Sequence, residues 1–129
     1  IYDSERPLIS SVYHNRLKKG MRLQADPTIQ FIIDDGPRRL LKKDLKIQSP
    51  YNTYKIYGLP PGPINSPGRE SLLAALSPAD ADFFFFVANG EGYHTFSKTE
   101  KDHNTAKKKF QRYRKNLKRQ QAKNKVTRD

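Results

Sequence analysis

Several hydrophobic patterns follow one another along the chain. From Ser4 to Lys19, the residues Leu8, Ile9, Val12, Tyr13 and Leu17 recur at spacings of one, three and four, the stripe of an amphipathic helix. Ser4 can cap its start, Glu5 suits the positive dipole end, and Pro7 lies in the first turn, where a missing N–H costs nothing. Gly20 follows the last periodic residue as a terminator, behind Lys18 and Lys19. Thr28 to Ile33 is β-branched and aromatic and reads as a short strand, closed by the turn Asp34-Asp35-Gly36-Pro37. Arg38 to Lys46 has Leu40, Leu41 and Leu45 on one side and reads as a short helix.

Ser49 to Pro67 breaks the pattern. Its prolines and glycines forbid regular structure, yet Tyr51, Tyr54, Ile56, Tyr57, Leu59 and Ile64 are too apolar for disorder. The expectation is an ordered loop packed onto the body. Ser66-Pro67 should open a helix with Leu72, Leu73, Ala75 and Leu76 as its core face. Phe83 to Val87 is a continuous apolar run with the length and aromatic content of a central strand, buried on both faces. Asn89-Gly90-Glu91-Gly92 links it as a hairpin to Tyr93–Ser97. Ser97 or Thr99 then caps a long helix running to about Gln121. His103, Ala106, Phe110, Tyr113 and Leu117 form its apolar stripe, and fraying is expected after Leu117. The predicted fold class is α+β: a small antiparallel sheet with helices packed on it and a long basic C-terminal helix. Residues 1–114 form the main domain, and 115–129 a basic helix end or tail.

Composition changes this picture in two places. The net charge of +12 is uneven. Residues 98–129 hold 13 Lys and Arg against 3 acids, whereas residues 1–97 hold 12 against 10. The body is nearly neutral, so the charge does not mark a basic globular face that tracks a phosphate backbone. A basic end with few aromatics beyond Phe110 and Tyr113 is a weak nucleic-acid signal, and nucleic acid is not expected as a partner. The absence of cysteine excludes disulfides, zinc-thiolate sites and thiol catalysis. No stretch of 18 apolar residues is present to span a bilayer. His14, His94 and His103 lack short ligand spacing, so no metal site is expected, and no cofactor.

Four polar clusters can carry chemistry: Gln24-Ala25-Asp26-Pro27, Ser49 to Tyr54, Glu91 to Ser97, and Asp102-His103-Asn104. Each has a structural reading beside the functional one. Asp26 can stabilise a turn. Asn52 and Thr53 can satisfy loop backbone groups or bind a ligand. His103, on the apolar stripe, reads as a satisfied core histidine. Tyr51, Asn52, Tyr54 and Tyr57 could stack on sugar faces and bond sugar hydroxyls, though aromatic loops serve many ligands.

Several strings in order resemble the endolytic murein transglycosylase family, also called YceG-like. They are Glu5-Arg6-Pro7 leading to Ser11-Val12-Tyr13-His14-Asn15-Arg16-Leu17, then Gly20-Met21-Arg22-Leu23-Gln24-Ala25-Asp26-Pro27-Thr28. Ser49-Pro50-Tyr51-Asn52-Thr53-Tyr54 and Gly58-Leu59-Pro60-Pro61-Gly62-Pro63-Ile64 follow, and last Gly92-Tyr93-His94-Thr95-Phe96-Ser97 and Asp102-His103-Asn104. The resemblance spans about residues 5 to 114. It implies a lyase that cuts nascent peptidoglycan between N-acetylmuramic acid and N-acetylglucosamine, leaving 1,6-anhydro ends. A Glu protonates the glycosidic oxygen and then assists attack by the muramic 6-hydroxyl. The family's Glu lies in a helical motif upstream of Glu5-Arg6, so it is expected before Ile1. None of Glu5, Glu70, Glu91 and Glu100 sits in that motif. No catalytic acid is assigned within the chain, which reads as the C-terminal part of a catalytic domain, inactive by itself.

The resemblance further implies the bacterial inner membrane as location, with the catalytic domain on its outer face and an anchor preceding residue 1. Glycan strands are the implied partner, with peptidoglycan synthases as further ones. Gln24, Asp26, Tyr51, Asn52, Tyr54 and His94 are the expected substrate-binding residues, lining one groove near Ile1. Asp26 and Asn52 would hold hydroxyl or acetamido groups, and Tyr51 or Tyr54 a sugar ring. The competing reading is a non-catalytic glycan-binding or scaffold module that uses the same loop.

Overall fold

The computed structural model describes the backbone of residues 2–128 and the side chains of residues 2–124. After a 3-10 turn at Asp3–Glu5, α1 runs Arg6–Lys19, with Pro7 in its first turn. Ser4 makes no cap; it lies inside the 3-10 turn. Gly20 ends α1 at a φ of 71°, the left-handed conformation that only glycine adopts without cost.

The strand expected at Thr28–Ile33 is instead helix: α2 spans Asp26–Ile32. Asp26 and Pro27 occupy its first two positions, where an acid favours the dipole and proline's missing N–H is harmless. The Ala25 carbonyl accepts from both the Thr28 N–H (3.0 Å) and the Thr28 hydroxyl (2.7 Å). Those opening residues outweigh the β-branched composition that follows them.

The helix expected at 38–46 shrinks to a 3-10 turn at Asp44–Lys46. Asp44 organises this segment. Its carboxylate takes two bonds from the Arg38 guanidinium (2.8 and 3.0 Å) and one from the Leu41 N–H (2.7 Å). A side chain that captures local backbone in this way competes with helix. Arg38, together with the Leu41 N–H, holds the Asp44 carboxyl at about 2. A depressed folded-state value contributes stability that is complete above the unfolded value of about 4 and is lost as pH falls towards 2. Asp44→Asn should therefore flatten the acid limb of a denaturation profile between those pH values. A limb that keeps its slope in the variant would assign the acid sensitivity elsewhere.

Residues 49–67 form an irregular, ordered loop, as expected. Asn52 and Thr53 within it are fully buried. α3 spans Arg69–Leu76, and its N-cap is Gly68, not Ser66. Its leucines are not the core face: Leu72, Leu73 and Leu76 are 52%, 45% and 82% exposed. α3 packs on α1 through its small residues. Ala74 is buried, Ser71 accepts from Arg6 Nη1 (2.7 Å), and the Ala75 carbonyl meets His14 Nε2 (3.0 Å). The leucine spacing was helical, but the short side chains allow the closer approach.

β1 (Phe85–Ala88) and β2 (His94–Ser97) pair antiparallel, Phe85 opposite Ser97 and Ala88 opposite His94. β1 is half-buried throughout rather than buried on both faces. Phe85 stacks on His103 (4.9 Å), while Phe86 meets Tyr13 edge-on (5.8 Å). At the hairpin tip, a Cβ on Gly90 would lie 2.5 Å from the Tyr113 ring, so this turn and α4 approach as closely as glycine permits. α4 spans Glu100–Arg128, past the expected end near Gln121. Thr99 is its cap, accepting from the Asp102 N–H (3.2 Å). Among the described residues, no helix is long and apolar enough to cross a membrane.

Among the described residues, the buried set is mostly polar. Val12, Leu23, Ile29 and Ala74 are its apolar members, beside Glu5, Ser11, Arg16, Thr28, Asp44, Asn52, Thr53 and Ser97. Buried polar groups persist where each finds partners, so the body is a hydrogen-bonded frame around a small apolar centre.

Candidate functional site

A cavity of about 560 Å³ opens between α1, α2, the two strands and the first turns of α4. That volume lies in the ordinary range for small-molecule sites. Tyr13, Phe85, Phe86 and Val87 give it an apolar side. Gln24, Asp26, Tyr54, His94, Glu100 and His103 bring polar groups to it.

Each polar member is positioned by a distinct local device. Gln24 is a non-glycine residue at positive φ (48°), and its N–H donates to the Thr53 carbonyl (3.1 Å). Such a backbone costs energy in an ordinary residue and clusters at functional sites. Tyr54 donates its hydroxyl to Asp26 Oδ1. Burial, then the Asp26 carboxylate, raises the Tyr54 phenol well above its ordinary range, so it remains a donor. The Thr53 hydroxyl ties this pair to the frame, accepting from the Ala25 N–H (2.8 Å) and lying 2.9 Å from the Thr28 hydroxyl.

His94 is held by Glu5. The His94 N–H donates to Glu5 Oε1 and its Nδ1 to Glu5 Oε2, both at 2.7 Å. The two residues lie 89 positions apart in sequence. With Nδ1 on Glu5, Nε2 is the ring nitrogen left for other partners, and His94 lines the cavity. Arg16 lies beneath: its guanidinium donates to the carbonyls of Phe84 (2.7 Å) and Arg22 (2.9 Å) and sits 4.9 Å from the Phe85 ring. Burial lowers the Arg16 pKa from its usual value.

Two of the six expected substrate-binding residues stand elsewhere. Asn52 has no exposed surface. Its amide donates to the Leu45 (3.0 Å) and Ile47 (2.8 Å) carbonyls and its oxygen accepts from the Tyr54 N–H (2.9 Å). These bonds occupy the side chain and brace the loop that presents Tyr54. Tyr51 packs against Phe31 (5.0 Å) and is absent from the cavity wall. Gln24, Asp26, Tyr54 and His94 share the cavity, and the surroundings of Ile1 lie outside the described residues.

His103 differs from a satisfied core histidine. Its Nδ1 is buried with no hydrogen-bond partner among the described residues, its ring covers Phe85, and it lines the cavity. Burial, then Lys107 and Arg16, lowers its pKa and favours the neutral ring. Glu5 and Arg16 were not among the expected site residues. The signal for Arg16 was present: a base four residues after Val12, on the buried stripe of α1. Among the described residues, no three carboxylate or imidazole groups converge to hold a metal ion.

This architecture has known counterparts. The sequence model of the YceG-like family matches residues 2–109, and the chain belongs to that family. It is similar to an endolytic murein transglycosylase of Bacillus subtilis (strain 168), 50% identical over 107 residues, 83% of this chain and 30% of that protein. It is similar to an endolytic murein transglycosylase of Streptococcus pneumoniae (strain D39), 34% identical over 110 residues, 79% of this chain and 20% of that protein. The crystal structure of a yceG-like protein from Listeria monocytogenes superposes with a TM-score of 0.70 at 48% identity, covering 75% of this chain and 31% of that one. The chain thus spans under a third of the length of these relatives.

Proposed function

We propose that residues 1–114 are part of the catalytic domain of an endolytic lytic transglycosylase, and that the cavity holds a peptidoglycan strand next to the scissile bond. The observation that carries this reading is the convergence of Gln24, Asp26, Tyr54 and His94 from separate segments on one cavity with an aromatic side. A sugar offers hydroxyl and acetamido groups at its rim and an apolar ring face, and this wall matches both. Tyr54 spends its proton on one oxygen of Asp26, which leaves the other to accept from a sugar hydroxyl. Tyr13 and Phe86 would support the ring, and His94 Nε2 would meet a polar substituent.

The general-acid Glu of this reading precedes residue 1. It protonates the departing glycosidic oxygen, and the carboxylate so formed takes the proton of the muramic 6-hydroxyl as that oxygen closes on the anomeric carbon, so no water is consumed. The residues of this chain bind and orient the strand. On the same reading the protein acts on the outer face of the inner membrane, where synthases make the strands. Two outcomes follow. The isolated chain should release no anhydro-muramic ends from purified glycan strands. If ends appear and vanish with Glu91→Gln or Glu5→Gln, the acid lies within the chain. In the full-length protein, Asp26→Asn and Tyr54→Phe should each lower turnover roughly tenfold through misplaced substrate, with folding unchanged. Wild-type rates in both would remove the cavity from the reaction.

A further inference from the structure

We propose that the exposed basic face of α4 docks on the surface of an anionic phospholipid bilayer. This rests on the extracytoplasmic reading above for the choice of partner, but on separate residues. From His103 to Asn124 the helix has no acid, and its nine Lys and Arg are all exposed. At 100° per residue, Lys108, Arg112, Lys115 and Arg119 fall within one narrow line along the helix. Phe110, Tyr113 and Leu117 lie on the opposite side.

The fold does not account for that line. α4 meets the hairpin through His103, stacked on Phe85, and through Tyr113, which covers Gly90. The basic line points away from both. Like charges at i, i+4 destabilise a helix when no acid lies between them. An anionic partner removes the repulsion. The basic stretch also continues beyond the shared family region, which ends at residue 109, whereas α4 runs on to Arg128.

Charge complementarity narrows the partner. The four residues span about 16 Å of straight helix, a row that fits a flat charged surface. Laterally mobile anionic lipids can gather beneath such a row without fixed register, and each base near the surface strengthens attachment about fivefold. Single-stranded nucleic acid would need stacking aromatics among the bases, and the basic line has none. The cavity uses the first turns of the same helix, through Glu100, His103 and Asn104. Docking would therefore hold the cavity at a fixed distance from the bilayer.

The test is co-sedimentation of the whole chain with vesicles of phosphatidylcholine alone and of phosphatidylcholine mixed with phosphatidylglycerol. Binding is expected only to the mixed vesicles, weakening steeply with salt. Replacing Lys108, Arg112, Lys115 and Arg119 together by Glu should weaken it by at least about a hundredfold. The matching Gln variant should fall in between, and both should retain helical circular dichroism. Equal binding to neutral vesicles, undiminished binding by the Glu variant, or tighter binding to duplex DNA or RNA at equal salt would each overturn the proposal. The same Glu variant in the full-length protein should cleave soluble glycan strands at the parent rate, because none of the four residues lines the cavity. Loss of vesicle binding alone thus stays separable from failure of the cavity reading.

Discussion

Replacing Arg16 by Met should destabilise the chain by about 3 to 4 kcal/mol. Arg16 is 7% exposed, yet among the described residues no carboxylate lies within salt-bridge distance of it. Its charge is instead spread over the backbone carbonyls of Phe84, Arg22 and Leu23, at 2.7, 2.9 and 3.4 Å. Those carbonyls belong to the entry of β1 and to the segment between α1 and α2, so one side chain fastens three elements. Bonds from a charged donor are stronger than neutral ones, and carbonyls left unpaired in a low-dielectric interior add their own desolvation cost. Methionine fills similar space and isolates the polar contribution. Lysine should rescue less than half, because a single ammonium cannot reproduce the planar fork. Urea denaturation of the purified chain measures both variants, and a loss below about 1 kcal/mol for Arg16→Met would mean that water takes over these carbonyls.

Arg16 also shows why part of the fold was legible and part was not. Helix α1, the hairpin and the start of α4 carry local signals: apolar periodicity, Gly20, the Asn89–Gly92 turn and the Thr99 cap. Each is decided by neighbours within a few residues, so the sequence suffices. α2 was misread because Thr28 to Ile33 has strand composition, while the decision lay upstream, with Asp26 and Pro27. The leucines of α3 were misread because periodicity reports a face but not what it meets. Small residues meet α1, and Leu76 remains 82% exposed.

The cavity was legible to the extent that its polar residues stood in short marked strings, as Gln24, Asp26, Tyr54 and His94 do. The strings do not distinguish a side chain that lines the cavity from one that braces the loop. Asn52 and Tyr54 are two positions apart in the same string, and only the three-dimensional frame shows that Asn52 holds the loop while Tyr54 reaches the cavity. Glu5 and His94, 89 positions apart, form a contact that no local pattern can reveal.

That contact yields the largest expected effect on turnover. In the full-length protein, Glu5→Gln should lower kcat by about 100-fold with little change in KM, a magnitude typical of a misplaced reacting geometry. The Glu5 side chain is 7% exposed and that of His94 20%, so solvent has little access to the bond between them. The carboxylate accepts twice, from the His94 N–H and from Nδ1. Glutamine keeps one accepting oxygen and places an amide donor against the second N–H. The imidazole must then turn or change tautomer, and Nε2 no longer addresses the cavity in the same way. Glu5→Ala removes both acceptors and should in addition destabilise the domain by about 2 kcal/mol, because two donors are left unpaired. The pair of variants separates positioning from packing. If Glu5→Gln keeps the parent kcat while Glu5→Ala only lowers the melting temperature, Glu5 merely ties the N-terminal turn to β2. If Glu5→Gln loses turnover at a melting temperature close to the parent, Glu5 positions His94 for the reaction.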